Sequence, residues 1–188
     1  QAGVVEVESK LLSLMELLGD FRECPVEDST LEKIKEQNKQ ACQLISIKGR
    51  SNPLEIVETL DQYLESKRTE LAENPDRLVS QENALAETSI LLGSMWGEQL
   101  ILEFGWLWSS VEIGSTRILC IVSPDRSLVI YPCHFIASCL FDEEIDCTIM
   151  LAFNMMKDGL GDMPANGFEN VMDGVFRMDT QESAAPAN

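Results

Sequence analysis

The chain has 188 residues, 45% of them hydrophobic, with Lys+Arg 14 against Asp+Glu 32 and a formal net charge of -18. That length and apolar content suit a globular chain that buries its own core without disulfide or metal, and they exclude a disordered polyanion. The acidic excess excludes a phosphate-binding surface, because affinity for nucleic acid and anionic lipid depends on Lys and Arg, and it favours a basic partner.

Apolar residues at Val7, Leu11, Leu14, Met15 and Leu18 predict a first helix over Val5 to Leu18. Ser29-Thr30-Leu31-Glu32 reads as a capping box that opens a second helix to about Ile47, closed by Gly49. Asn52-Pro53-Leu54-Glu55 opens a third, with Pro53 at the first helical position, and Glu73-Asn74-Pro75-Asp76 ends it. Its charged face, with Glu58, Asp61, Glu65, Lys67, Arg68 and Glu70, reads as solvated.

The stretch LGSMWGEQLILEFGWLWSS, Leu92 to Ser110, has the length of a membrane span, but Glu98, Gln99 and Glu103 interrupt it and no Lys or Arg flanks it. It is not a span. Small residues Ala86, Ser89, Gly93 and Gly97 recur three or four apart among Leu92, Met95, Trp96, Leu100 and Ile101, which predicts a central helix that other elements approach closely. Gly105 ends that helix as a left-handed cap. Glu98 is expected as a buried acid hydrogen-bonded to backbone or to a tryptophan indole.

WLWSSVEI, TRILCIVS and SLVIYP are rich in aromatic and β-branched residues and are separated by Gly114-Ser115 and Pro124-Asp125-Arg126, which predicts three antiparallel strands. Trp106 and Trp108 alternate on the first strand, so both face the central helix through Trp96. Pro132 starts a short helix through Leu140. After the acidic loop FDEEIDC another runs from about Thr148 to Lys157, ANGFENVMDGVFRM predicts a last one, and TQESAAPAN a disordered tail. The expected fold is α+β: N-terminal helices plus a long central helix packed on a small antiparallel sheet, with C-terminal helices. It divides as a helical part over 1–78, an α+β module over 79–179 and a tail over 180–188, or forms one continuous domain.

The runs LGSMWGEQLILEFGWLW, VSPDRSLVIYP and TIMLAFNMM, between Leu85 and Lys157, resemble small uncharacterised bacterial α+β proteins of the toxin-immunity type. The shared features are a helix with a Gly-Glu pair, a Gly-Trp lead into a hairpin, and a proline ending the sheet. The resemblance implies an α+β module without established catalytic residues.

The chemistry of the residues points the same way. A nucleophile with its base requires Ser or Cys beside His, and the one histidine, His134, adjoins Cys133. A zinc set of Cys133, His134, Cys139 and Cys147 has adjacent ligands and no CxxC spacing. Asp158 to Glu169 fails as a calcium loop, with Leu160 and Met163 where an oxygen ligand and glycine belong. GxGxxG and GK[ST] are absent. No cofactor, metal or catalytic residue is expected, and the alternative is a small hydrolase or ligand-binding enzyme using a helix-sheet crevice near Glu98, His134 and Cys133. Six cysteines without a CxxC pair suggest a reducing compartment. No basic stretch leads into an apolar run and a cleavage site, so the cytoplasm is expected, with removal of a leader before Gln1 left open.

From Phe141 onward ten acids face two basic residues, Lys157 and Arg177. The expected function is therefore binding of a basic protein partner, most concretely a toxin neutralised by an immunity protein, with no nucleic acid or membrane and no oligomeric state implied. Asp142, Glu143, Glu144 and Asp146 are the expected docking carboxylates, with Phe135 and Phe141 as apolar anchors. Gly93, Trp96, Gly97, Glu98, Gly105, Trp106, Trp108 and Pro132 are expected to be structural.

Overall fold

The computed structural model describes residues 22–47, 52–113, 116–142, 144–161 and 163–173. The expected first helix, the Gly49 stop, the Gly114-Ser115 turn and the 180–188 tail lie outside the described residues. Within them are helices α1 (Asp28–Leu44), α2 (Pro53–Glu73), α3 (Pro75–Ser80), α4 (Glu82–Phe104), α5 (Pro132–Phe141) and α6 (Ile149–Asp158). The strands are β1 (Arg22–Cys24), β2 (Leu107–Ile113), β3 (Thr116–Val122), β4 (Leu128–Ile130) and β5 (Glu169–Asn170). The class is α+β, with helices before and after a sheet ordered β1-β2-β3-β4-β5.

Three local expectations are corrected. The sheet is mixed: β1 to β4 are antiparallel neighbours, but β5 runs parallel to β4 and pairs Leu128 with Glu169. β5 occupies the segment expected to begin the last helix, because Asn166 and Phe168 are left-handed (φ 61 and 51) and a helix cannot run through them. Helical backbone begins only at residue 171. Finally, α1 starts at Asp28, before the expected capping box. Glu27 is its N-cap without a side-chain bond, and the Glu32 carboxylate pairs with Lys35 at 2.7 Å instead. At α2 both halves of a capping box are present, with Asn52 Oδ1 accepting from the Glu55 amide at 2.9 Å and Glu55 Oε2 accepting from the Asn52 amide at 3.2 Å.

α4 is apolar on most of its circumference because neighbours cover it from several sides. Leu92, Met95, Trp96 and Leu100 have no exposure. Its two glycines mark close approaches. A Cβ on Gly93 would stand 2.6 Å from the Cys133 amide nitrogen on α5, and one on Gly97 would stand 2.6 Å from Ile121 Cδ1 and collide with the Trp108 ring. Ser94 Oγ donates to Gln37 Oε1 at 2.9 Å, tying α4 to α1. Gly105 then ends the helix at φ 68, which suits glycine. Ala41, Leu60, Leu64, Trp96, Trp106, Ile121, Ile136 and Phe153 belong to one core, so the apolar interior runs unbroken across residue 78.

The other face of the sheet holds a smaller buried cluster of Val111, Cys120, Val122 and Val129, packed by Ile118, Tyr131 and Phe168. β3 is thus buried on both sides, which is why its sequence alternates so little. Edge strand β1 is pinned there by charge: Glu23 Oε1 accepts from Ser109 Oγ at 2.8 Å and lies 3.3 Å from Arg126 Nη2 in the β3–β4 turn. Asp125 organises that turn by accepting from the Ser123 hydroxyl, the Ser127 amide and the Ser127 hydroxyl, which together hold its carboxyl down at about 2. Its folded pKa lies below the usual 3.8, so its stabilising effect is present above that pH and is lost as pH falls through about 2. Asp125→Ala should therefore melt lower than wild type at neutral pH, with the difference closing in scans at pH near 2. No helix among the described residues is long and apolar enough to cross a membrane.

Candidate functional site

The site expected at the acidic loop is built by the end of α5. Pro132 occupies the first turn, where its missing N–H costs nothing, and the Phe135 amide donates to the Tyr131 carbonyl. One face of α5 then seats on α4 at Gly93. This corrects one expected anchor: Phe135 is only 6% exposed, its ring 5.8 Å from that of Trp96, so it belongs to the core. Phe141, one turn and a half later, is half-buried and stands at the loop.

Beyond Phe141 the loop is held by its own first carboxylate. Asp142 Oδ1 accepts from the Glu144 amide at 2.9 Å and the Asp142 carbonyl accepts from the Ile145 amide at 3.3 Å, an Asx turn that follows the helix end. Ile145 turns inward against the core, while Asp142, Glu144 and Asp146 are exposed. Glu143 lies outside the described residues. Two thiols fasten the loop: Cys139 Sγ donates to the Asp146 carbonyl at 3.8 Å, and Cys147 Sγ donates to Asp61 Oδ1 on α2 at 3.7 Å. Burial raises the Asp61 pKa, with the Glu65 carboxylate adding to the effect and the Cys147 thiol opposing it.

Beside the loop, α2, α3 and α5 enclose a cleft of about 370 Å³. Leu71, Leu78, Leu140 and Phe141 supply its apolar side chains, and Glu65, Arg68 and Asp142 its charged ones. Arg68 Nη1 bonds Glu65 Oε1 at 3.4 Å, so that cation is partly offset within the rim. A second cleft of about 230 Å³ lies below the β3–β4 turn, with Trp106, Met156, Leu160 and Met163 beside Asp125.

The residues of the catalytic alternative are engaged elsewhere. Glu98 Oε1 accepts from Trp108 Nε1 at 2.8 Å. Cys133 Sγ faces Gly93 and the Ile90 carbonyl, and burial pushes its thiol up to about 11, leaving little thiolate at neutral pH. Burial also lowers the His134 pKa. None of the three lines either cleft. All six cysteines are free thiols, and among the described residues no three His, Cys, Asp or Glu side chains are grouped to hold a metal. The other expected structural residues sit where α4 meets its neighbours: Trp96 and Trp106 are buried in the main core, Trp108 is half-buried against it, and Pro132 begins α5.

Sequence reasoning did not single out Asp61, Leu71, Leu78, Cys139 or Cys147 as parts of this site. Asp61 sits on the α2 face that reads as solvated, and the return of the chain through Cys147 and Met150 brings it partners. Spacing offers a faint signal, in that two cysteines bracket the one dense acidic run. No family model matches the chain, and neither a curated protein nor a solved structure matches it.

Proposed function

We propose that this is a non-enzymatic cytoplasmic binding protein that docks a basic protein partner on the 141–147 loop and the adjoining α2–α5 cleft. In its most concrete form it is a bacterial immunity protein that lays carboxylates over the cleft of a basic toxin. The observation that carries this reading is the juxtaposition of exposed Asp142, Glu144 and Asp146 with a cleft containing Leu71, Leu78, Leu140 and Phe141. Interfaces divide their labour in that way: rim charges speed and orient encounter, while a few buried apolar contacts set the lifetime of the complex. The net charge of -18 extends the attraction beyond the loop.

The test is capture from the native host on immobilised protein, followed by identification of what elutes as salt is raised. The expected result is a basic protein, retained by wild type and released early from a Phe141→Ala variant that melts normally. An acidic partner, or one retained equally by that variant, contradicts the reading.

A further inference from the structure

The acidic loop is bracketed by two thiols, Cys139 and Cys147. Cys139 Sγ reaches the Asp146 carbonyl at 3.8 Å, and that carbonyl belongs to the peptide carrying the Cys147 nitrogen. Cys139 is therefore packed against the backbone that leads into Cys147. Cys139 is also close enough to act on the Cys147 thiol, raising its pKa together with burial and the Asp61 carboxylate. The remaining cysteines keep other company: Cys24 with Glu112, Cys42 with Asn38, Cys133 with Ile90, and Cys120 in the far-face cluster.

We propose that Cys139 and Cys147 form a reversible disulfide that closes the acidic loop into a ring and resets the α2–α5 cleft, with a glutathione-type small-molecule disulfide as oxidant. Cys147 is half-buried and Cys139 only 2% exposed, so Cys147 is the thiol an oxidant reaches; Cys139, burial and Asp61 hold that thiol well above its ordinary range, so it attacks only as Asp61 takes its proton. It gives its proton to the Asp61 carboxylate, and its sulfur attacks one sulfur of the small disulfide. That S–S bond breaks, and the first small thiolate leaves and takes the proton back from Asp61. Cys139 then attacks the Cys147 sulfur, expelling the second small thiolate, which takes the Cys139 proton. Two protein thiols are oxidised by two electrons and one small disulfide is reduced to two thiols.

The new bond has a local consequence. Once oxidised, Cys147 no longer donates to Asp61, and the tie between the loop and α2 is lost. Cys139, which lines the cleft, is drawn toward the loop. Formation of the bond is independent of any partner, while its effect on docking rests on the function proposed above.

The full chain is treated with oxidised glutathione, quenched by alkylation, digested and read by mass spectrometry, folded and in urea. The expected result is a Cys139–Cys147 cross-link that forms faster in the folded chain and is reversed by dithiothreitol, with Cys139→Ser trapping glutathione on Cys147. Alkylation of both thiols while other cysteines oxidise, or equal rates folded and unfolded, overturns the proposal. Binding of the captured partner should weaken about tenfold on oxidation, a loss of about 1.4 kcal/mol. A disulfide that forms with unchanged affinity overturns the switch, whereas failure to bind in either redox state strikes the docking reading and leaves the disulfide standing.

Discussion

Trp96→Ala lowers the stability of the fold by about 3–5 kcal/mol, the range for truncating a large aromatic in a packed core. The indole has no exposure, and its ring meets Phe135 across the α4–α5 contact, so alanine leaves a cavity that the helices cannot close without moving. For a chain of this size the loss corresponds to a melting temperature lower by about 10 °C, against a total stability of about 5–15 kcal/mol. Trp96→Phe should cost far less. The indole N–H has no hydrogen-bond partner among the described residues, so phenylalanine forfeits no bond and removes a buried donor. Thermal melts of the two variants check both statements, and equal losses would mean that the N–H is bonded after all.

Gly93→Ala sets two effects of opposite sign against each other. Helix propensity alone favours alanine over glycine by about 1 kcal/mol in a helix interior. Packing opposes it, because the added methyl would lie 2.6 Å from the Cys133 amide nitrogen and 2.7 Å from its Sγ. A side chain could swing away, but here the backbone of α5 must shift. Overpacking costs about 1–3 kcal/mol and more when backbone is displaced, so the net result is a loss of about 2 kcal/mol. The comparison is Ala84→Gly on the exposed first turn of the same helix, which should show the propensity alone. If Gly93→Ala is more stable than wild type, α5 does not approach α4 as closely as described.

The same two glycines show what sequence reasoning could reach. Small residues four apart in an apolar helix announce close approach, and Gly105 after the last apolar turn announces the stop; both follow from local sterics. β1 and β5 could not be foreseen in that way. They are three and two residues long, too short for an alternating pattern, and each exists because β2 or β4 presents an edge to pair with. Phe135 and Phe141 are equally apolar, so composition cannot say which is core. The rotation of α5 on α4 decides it, bringing Phe135 to Trp96 and leaving Phe141 at the cleft. The acidic run was legible as charge, but not the division of labour inside it. Asp142 Oδ1 also holds the turn, so its carboxylate has a structural part as well as a charge to offer a partner.

That division shapes the decisive measurement, which is the association rate of the captured partner with wild type and with Glu143→Lys, Glu144→Lys, Asp146→Lys combined. Asp142 is left in place because reversing it would also break the turn. Exposed charges act over a Debye length of about 10 Å at 0.1 M salt and about 3 Å at 1 M. The account predicts that the triple variant associates much more slowly than wild type at low salt, that the two rates converge at high salt, and that melting temperature is little changed. A variant that associates at the wild-type rate at every salt concentration would contradict it, and the acidic loop would then have no part in docking.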